Sequence, residues 1–134
     1  ILLTIETAHL TTEAIEKNRA FTVNIPDGED SDRVEFIGTN SGRKVDKSGT
    51  YQYTMVAPNL PLIDEYSLGY TCEVVEIHKA GGKSYVVAKV LDLYAEEELA
   101  DDGKININKL NPLLFDWTGY YTLGDNKGGV FRPR

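Results

Sequence analysis

Gly69-Tyr70-Thr71-Cys72-Glu73-Val74-Val75-Glu76-Ile77-His78, then Ala80-Gly81-Gly82-Lys83, then the run from Ser84 to Tyr94, decides the fold class of this chain. Both flanking runs are rich in β-branched and aromatic side chains, which suit a pleated, half-buried surface. Between them, Gly81-Gly82 supplies two residues that accept positive φ without steric cost, the chemistry of a tight hairpin turn. The stretch predicts a long antiparallel hairpin. No alternation of strand and helix on a βαβ pattern accompanies it. The chain is therefore read as mostly β, a closed or split barrel with two or three short helices, not a doubly wound sheet.

Toward the N-terminus, Phe21-Thr22-Val23-Asn24-Ile25 alternates apolar and polar and reads as a strand, stopped by Pro26-Asp27-Gly28. Thr11 to Asn18 reads as a short helix with a threonine cap and Glu13 in its first turn. Ile1 to Glu6 reads as a buried strand. It has no polar lead-in, so the expectation is a domain over 1–134 whose sheet is N-terminally incomplete. Asp30 or Ser31 can cap a second helix, with Val34 and Ile37 on one side and Gly38 as its stop. Tyr51 to Val56 is expected to be a strand with its tyrosines on one face, and Ala57-Pro58-Asn59-Leu60-Pro61 a rigid turn or extended connection.

Toward the C-terminus, Glu96-Glu97-Glu98 and Asp101-Asp102-Gly103 form an acidic bend without the ligand spacing of a calcium loop, so a solvated charge run is expected. Asn106 to Leu110 is long enough for one helical turn. Pro112 to Trp117 leads to a last short strand, Tyr120 to Gly124. Gly128-Gly129-Val130-Phe131 opens into a basic tail. No internal repeat or low-complexity linker interrupts the chain.

The chemistry-bearing stretch is Gly38-Thr39-Asn40-Ser41-Gly42-Arg43-Lys44-Val45-Asp46-Lys47. Three of the chain's 14 Lys and Arg residues fall in its last five positions, although the net charge is -7. Small residues that bend closely and donate hydrogen bonds precede the cations. Such a loop can hold a phosphate, with Arg43 as a planar fork. Its spacing is equally that of a polar surface loop after a helix, and it is not a Walker loop.

Composition removes other classes. An acidic chain of 134 residues is not steered to nucleic acid or to an anionic membrane. No apolar run approaches a membrane span. One cysteine, Cys72, allows no internal disulfide, and with two histidines makes a structural zinc site improbable. A cytoplasmic location and no metal are the expectations. Cys72 itself reads as a small buried hydrophobe, and His78 as an exposed strand-end residue.

Four pieces in this order carry a resemblance. They are Thr11-x-x-x-Ile15 leading into Phe21-Thr22-Val23-Asn24-Ile25-Pro26; Ser41-Gly42-Arg43-Lys44-Val45-Asp46-Lys47; Cys72-Glu73-Val74-Val75-Glu76 with its hairpin partner; and Asn111-Pro112-Leu113 through Tyr120-Tyr121-Thr122-Leu123-Gly124. Together they resemble the flavin reductase-like, FMN-binding split-barrel family, its flavoredoxin branch above all. The resemblance implies a split barrel, a homodimer, and FMN near the subunit interface, with the cofactor carrying the redox chemistry. It implies flavin phosphate contacts at His9, Thr11 and Thr7, and a second flavin-facing loop containing Ser41, Gly42, Arg43, Lys44 and Lys47. It also implies that Tyr120 and Tyr121 pack near the flavin ring or the dimer contact.

The sequence departs from the family at three places. The family's opening strands, which bring an Asn/Ser-containing flavin-binding segment, have no counterpart here. The family's Gly-x-His on the hairpin reads Gly81-Gly82-Lys83, and a glycine of the partner strand reads Ala88. No catalytic residue is therefore assigned. The expected function is flavin reductase-like or flavoredoxin-like electron transfer, with reduced nicotinamide or a redox protein as donor. The alternative is a non-catalytic split-barrel dimerisation module that has lost its flavin. His9 reads equally as a phosphate donor or as a helix-entry residue bonded to local backbone, and Asp46 as the group that orients Arg43 or Lys47.

Overall fold

The computed structural model describes residues 1–125, so the basic tail at Gly128 to Phe131 lies outside the described residues. In chain order the elements are β1 (Leu2–Glu6), α1 (Leu10–Asn18), β2 (Ala20–Ile25), α2 (Ser31–Thr39), β3 (Tyr53–Ala57), β4 (Leu60–Ile63), β5 (Leu68–Ala80) and β6 (Lys83–Ala95). A 3-10 turn at Glu97–Leu99 precedes β7 (Ala100–Asp101), β8 (Lys104–Ile105), α3 (Ile107–Leu110), β9 (Leu114–Asp116) and β10 (Gly119–Tyr121).

The hairpin read from the sequence is the backbone of the structure. β5 and β6 run for 13 residues each, joined by Gly81 and Gly82 at φ 56° and 77°. They form the centre of an antiparallel sheet in the order β1-β6-β5-β2. The register of β5 on β6 slips at Thr71/Cys72 and again at Val74/Glu76. Each slip leaves one residue unpaired and sharpens the local twist, which curls a flat sheet into half a barrel. Inside the curl lie Phe21, Cys72, Val74, Val86 and Ala88, with Ile15 of α1 closing the core from above. Burying side chains such as Phe21 and Ile15 stabilises the fold by about 1.5–3 kcal/mol each before cavity effects.

α1 is held over this core by both ends. Thr12 is buried and its hydroxyl donates to the Glu6 carbonyl at 2.6 Å. Arg19 takes the left-handed conformation at the helix end (φ 55°), and its N–H donates to the Ile15 carbonyl. The β3–β4 hairpin joins β2 through side chains. The Thr22 hydroxyl donates to the Pro61 carbonyl at 2.6 Å, and the Asn24 carboxamide oxygen accepts from the Ile63 N–H at 2.9 Å.

Several expectations need correction. Ile1 to Glu6 is not a buried strand: β1 lies at the sheet edge with alternating exposure, and Leu2 is 66% exposed. The residue capping α1 is His9, not a threonine, because Thr11 lies inside the first turn and Thr12 spends its hydroxyl on Glu6. Gly38 does not stop α2. The helix runs to Thr39, and Asn40 ends it by donating from its side chain to the Phe36 carbonyl at 2.8 Å. The turn expected over Ala57 to Pro61 is there but shorter: Pro58 and Asn59, the latter at φ 62°, join β3, which ends at Ala57, to β4, which opens at Leu60. The tyrosines near β3 do not share a face, since Tyr51 precedes the strand and is buried while Tyr53 is exposed. The last strand is the second arm of the β9–β10 hairpin and ends at Tyr121.

Candidate functional site

The first turn of α1 and the segment after α2 face each other across a groove of about 650 Å³. Residues from Ala8 to Thr11 form one wall, and Ile37 to Gly42 the other, with Lys47 at the end. Five of the residues singled out in the sequence therefore meet in one place: His9, Thr11, Ser41, Gly42 and Lys47. They come from two loops thirty residues apart in sequence.

The wall at α1 offers donors. His9 is the N-cap, and its side chain makes no cap hydrogen bond. Its carbonyl accepts from the N–H groups of Thr12 and Glu13. The Leu10 and Thr11 N–H groups precede the first intrahelical bond and have no acceptor among the described residues. They point out of the helix at the positive end of its dipole, where an anion is favoured.

The opposite wall is shaped by Lys47. Its ammonium donates to the carbonyls of Ile37 and Asn40, both at 2.8 Å. These are the orphaned carbonyls of the α2 C-terminus, so Lys47 neutralises the helix end that would otherwise repel an anion. An ammonium has three protons, and these two bonds leave one. The Ser41 carbonyl accepts from the N–H groups of Lys44 and Val45, which makes the loop a tight turn. Gly42 lines the groove where an added Cβ would stand 3.3 Å from the Leu10 Cδ2 and 3.8 Å from the Lys47 Cε.

Two expected cations stand outside the groove. Arg43 donates to the Ala8 carbonyl at 3.3 Å and forms an ion pair with Glu13, so its fork ties the loop to α1. Lys44 is exposed and does not line the groove. Thr7 is also engaged elsewhere, its hydroxyl sharing a hydrogen bond with the Ser84 hydroxyl at 3.0 Å. Asp46 orients neither Arg43 nor Lys47. It accepts from the Ser48 N–H at 2.9 Å, which draws its carboxyl below the usual range. Tyr120 and Tyr121 lie away from the groove: Tyr120 donates to Glu35 at 2.7 Å, and the Tyr121 hydroxyl meets that of Thr118 at 2.6 Å.

Sequence reasoning missed the cluster that frames this loop. Asp30, at the start of α2, accepts from the Tyr51 hydroxyl at 2.8 Å and from Tyr66, and pairs with Arg33. The Tyr51 and Tyr66 rings tilt against each other at 5.3 Å. Burial pushes the Asp30 carboxyl up, but hydrogen bonds from Tyr66, Arg33 and Tyr51 outweigh it and leave the group below its ordinary value. Burial and then the Asp30 hydrogen bond push Tyr66 well above the ordinary tyrosine value. Segment 30–51 is thus fastened at both ends, by Tyr51 on Asp30 and by Lys47 on the helix terminus. The only sequence signal was a capping aspartate, since tyrosines 21 and 36 residues away gave no spacing to read.

Cys72 is 1% exposed and burial raises its thiol, as expected of a core residue, and His78 is exposed. Among the described residues no helix is long and apolar enough to cross a membrane. Ala88 is buried in the core, and Lys83 at the hairpin forms an ion pair with Glu6.

A profile for the flavin reductase like domain matches residues 1–124. Among solved structures, the flavoredoxin from Methanosarcina acetivorans superposes with a TM-score of 0.92 at 31% identity, over 98% of this chain and 72% of that one. The flavoredoxin of Desulfovibrio vulgaris (Miyazaki F) gives 0.80 at 24%, over 97% and 74%. The FMN-binding protein from Thermus thermophilus with bound p-hydroxybenzaldehyde gives 0.79 at 23%, over 98% and 71%. The last two carry the fold alone. No curated protein matches significantly. The mostly β split barrel with short helices, expected from the sequence, is the fold of this chain.

Proposed function

We propose, from the premise that the chain belongs to the flavin reductase-like domain family, that it binds FMN and serves in flavin electron transfer. The observation that carries the reading is the groove, lined by Leu10 and Thr11, whose N–H groups have no acceptor among the described residues, by Lys47 and by small residues. This donor set fits a phosphate monoester. Thr11, Ser41 and the first-turn N–H groups supply hydrogen bonds, His9 and Lys47 supply further donors, and Gly42 leaves room. Arg43 holds the two walls together from outside.

When bound, the flavin supplies the redox chemistry, accepting and releasing electrons singly or as hydride. The protein's part is to fix the cofactor by its phosphate and to set its approach to a donor, either reduced nicotinamide or a redox protein. A homodimer belongs to this reading. The outer arm of β6 exposes Val87, Val90, Leu91 and Leu93 at 40–56%, a strip that a second copy would cover.

The same strip favours the second reading, a split-barrel dimerisation module without flavin. Purification separates the two. Yellow protein, or apoprotein that quenches added FMN fluorescence at stoichiometric concentration, supports the flavin reading. Colourless protein that dimerises and ignores added FMN supports the module.

A further inference from the structure

We propose that the cleft between the β9–β10 hairpin and the exposed side of α2 is a docking site for an arginine-bearing segment of a partner polypeptide. One wall is aromatic. Trp117 is 98% exposed and Phe115 61% exposed. Their rings meet edge to face at 6.2 Å, and Phe115 packs at a tilt against Tyr120 at 5.1 Å. An indole held in water in this way presents its electron-rich face to whatever approaches.

The other wall is acidic. Asp32 and Glu35 of α2 line the cleft, whose volume is about 420 Å³, and among the described residues no lysine or arginine lines it. Glu35 accepts from the Tyr120 hydroxyl at 2.7 Å, which fixes the carboxylate beside the rings while leaving it lone pairs for a second donor. The nearest guanidinium in sequence, Arg33, is turned away to Asp30 and Glu65.

The aromatic wall is held by its own turn. Asp116 accepts from the Thr118 N–H at 2.6 Å and from the Thr118 hydroxyl, which in turn meets the Tyr121 hydroxyl. Carboxylate and aromatic face together select a guanidinium, which is planar, weakly hydrated, and able to stack and to fork at once. The chain's net charge of -7 steers a basic partner toward it. The cleft shares no lining residue with the groove described above, so docking here leaves that groove open.

Trp117 is the chain's sole tryptophan, so intrinsic fluorescence reads the site directly. The full chain is titrated with a peptide of arginine, glycine and serine, and with its counterpart carrying neutral citrulline for arginine. A saturable change in emission is expected with the arginine peptide, weakened about tenfold by citrulline or by Glu35→Gln. Trp117→Ala, followed by calorimetry, is expected to lose peptide binding and to leave FMN titration unchanged. Equal responses to the two peptides, or no response, overturn the proposal. So does an emission maximum already blue-shifted and protected from iodide before peptide is added. Dilution would then tell a second copy from the chain's own residues 126–134 as the occupant.

Discussion

The ammonium of Lys47 donates to the carbonyl of Asn40 at 2.8 Å, folding the loop between them back onto the helix that precedes it. With the parallel bond to Ile37, this single side chain satisfies carbonyls at the end of α2 and shapes one wall of the groove. Lys47→Met keeps the length of the side chain and removes its charge. It is expected to lower the denaturant midpoint, with a loss of about 1 kcal/mol, below the usual range for charged hydrogen bonds because the site is partly solvated. The slope of the transition should not change.

The buried carboxylate at the other end of this segment gives a pH dependence. The Asp30 carboxyl titrates below 3.8 in the folded chain. A depressed folded value means that its stabilisation is complete above 3.8 and is lost as pH falls through the folded value. Asp30→Asn should therefore be destabilised by about 1–3 kcal/mol at neutral pH. Its difference from wild type should shrink below pH 4, as urea titrations at successive pH values would show. Tyr66 gives the alkaline counterpart: its raised value makes its contribution complete below pH 10, to be lost only well above.

Gly42 separates folding from binding. Its backbone is not in the left-handed region, and the nearest atoms an added Cβ meets are the Leu10 Cδ2 at 3.3 Å and the Lys47 Cε at 3.8 Å. The Leu10 terminus can give way, and the Lys47 Cε at 3.8 Å is already at van der Waals distance. Gly42→Val is expected to cost less than about 1 kcal/mol in stability, as surface substitutions do, and to abolish FMN binding by filling the groove. Thermal melting and flavin titration on the same preparation check both halves.

Cys72 reports on the whole core. Its side chain is 1% exposed and its thiol is raised by burial, so little thiolate is available to react. Labelling by a thiol reagent should proceed only on opening of the sheet. The labelling rate should rise with urea in step with loss of far-UV ellipticity. Rapid labelling in buffer alone would mean that the β5 core opens locally.

Much of this was legible in the chain. The hairpin turn was visible because Gly81-Gly82 sits between two β-branched runs, and its arms then fixed the sheet's centre. The short helix at α1 followed from its acidic first turn, but its cap did not. Two threonines stood together, and only the tertiary position of the Glu6 carbonyl decides which hydroxyl is used and for what. The β3–β4 hairpin was hidden by Pro58 and Pro61, which an edge strand tolerates and a sequence pattern penalises. At the groove, Ser41, Gly42 and Lys47 could be grouped from one local motif. Arg43 was read as a free fork because its partner, Glu13, lies 30 residues back, and no spacing announces a pair across that distance.

The measurement that tests the account most directly is the ratio of FMN to riboflavin affinity, in wild type, Lys47→Met and Arg43→Ala. A phosphate held by charged hydrogen bonds is worth about 1.5–3 kcal/mol, so wild type should prefer FMN by roughly ten- to a hundredfold. Lys47→Met should narrow that ratio, and Arg43→Ala, whose guanidinium is spent on Glu13 and Ala8, should narrow it less. Equal affinity for the two flavins in wild type would contradict a phosphate site in this groove.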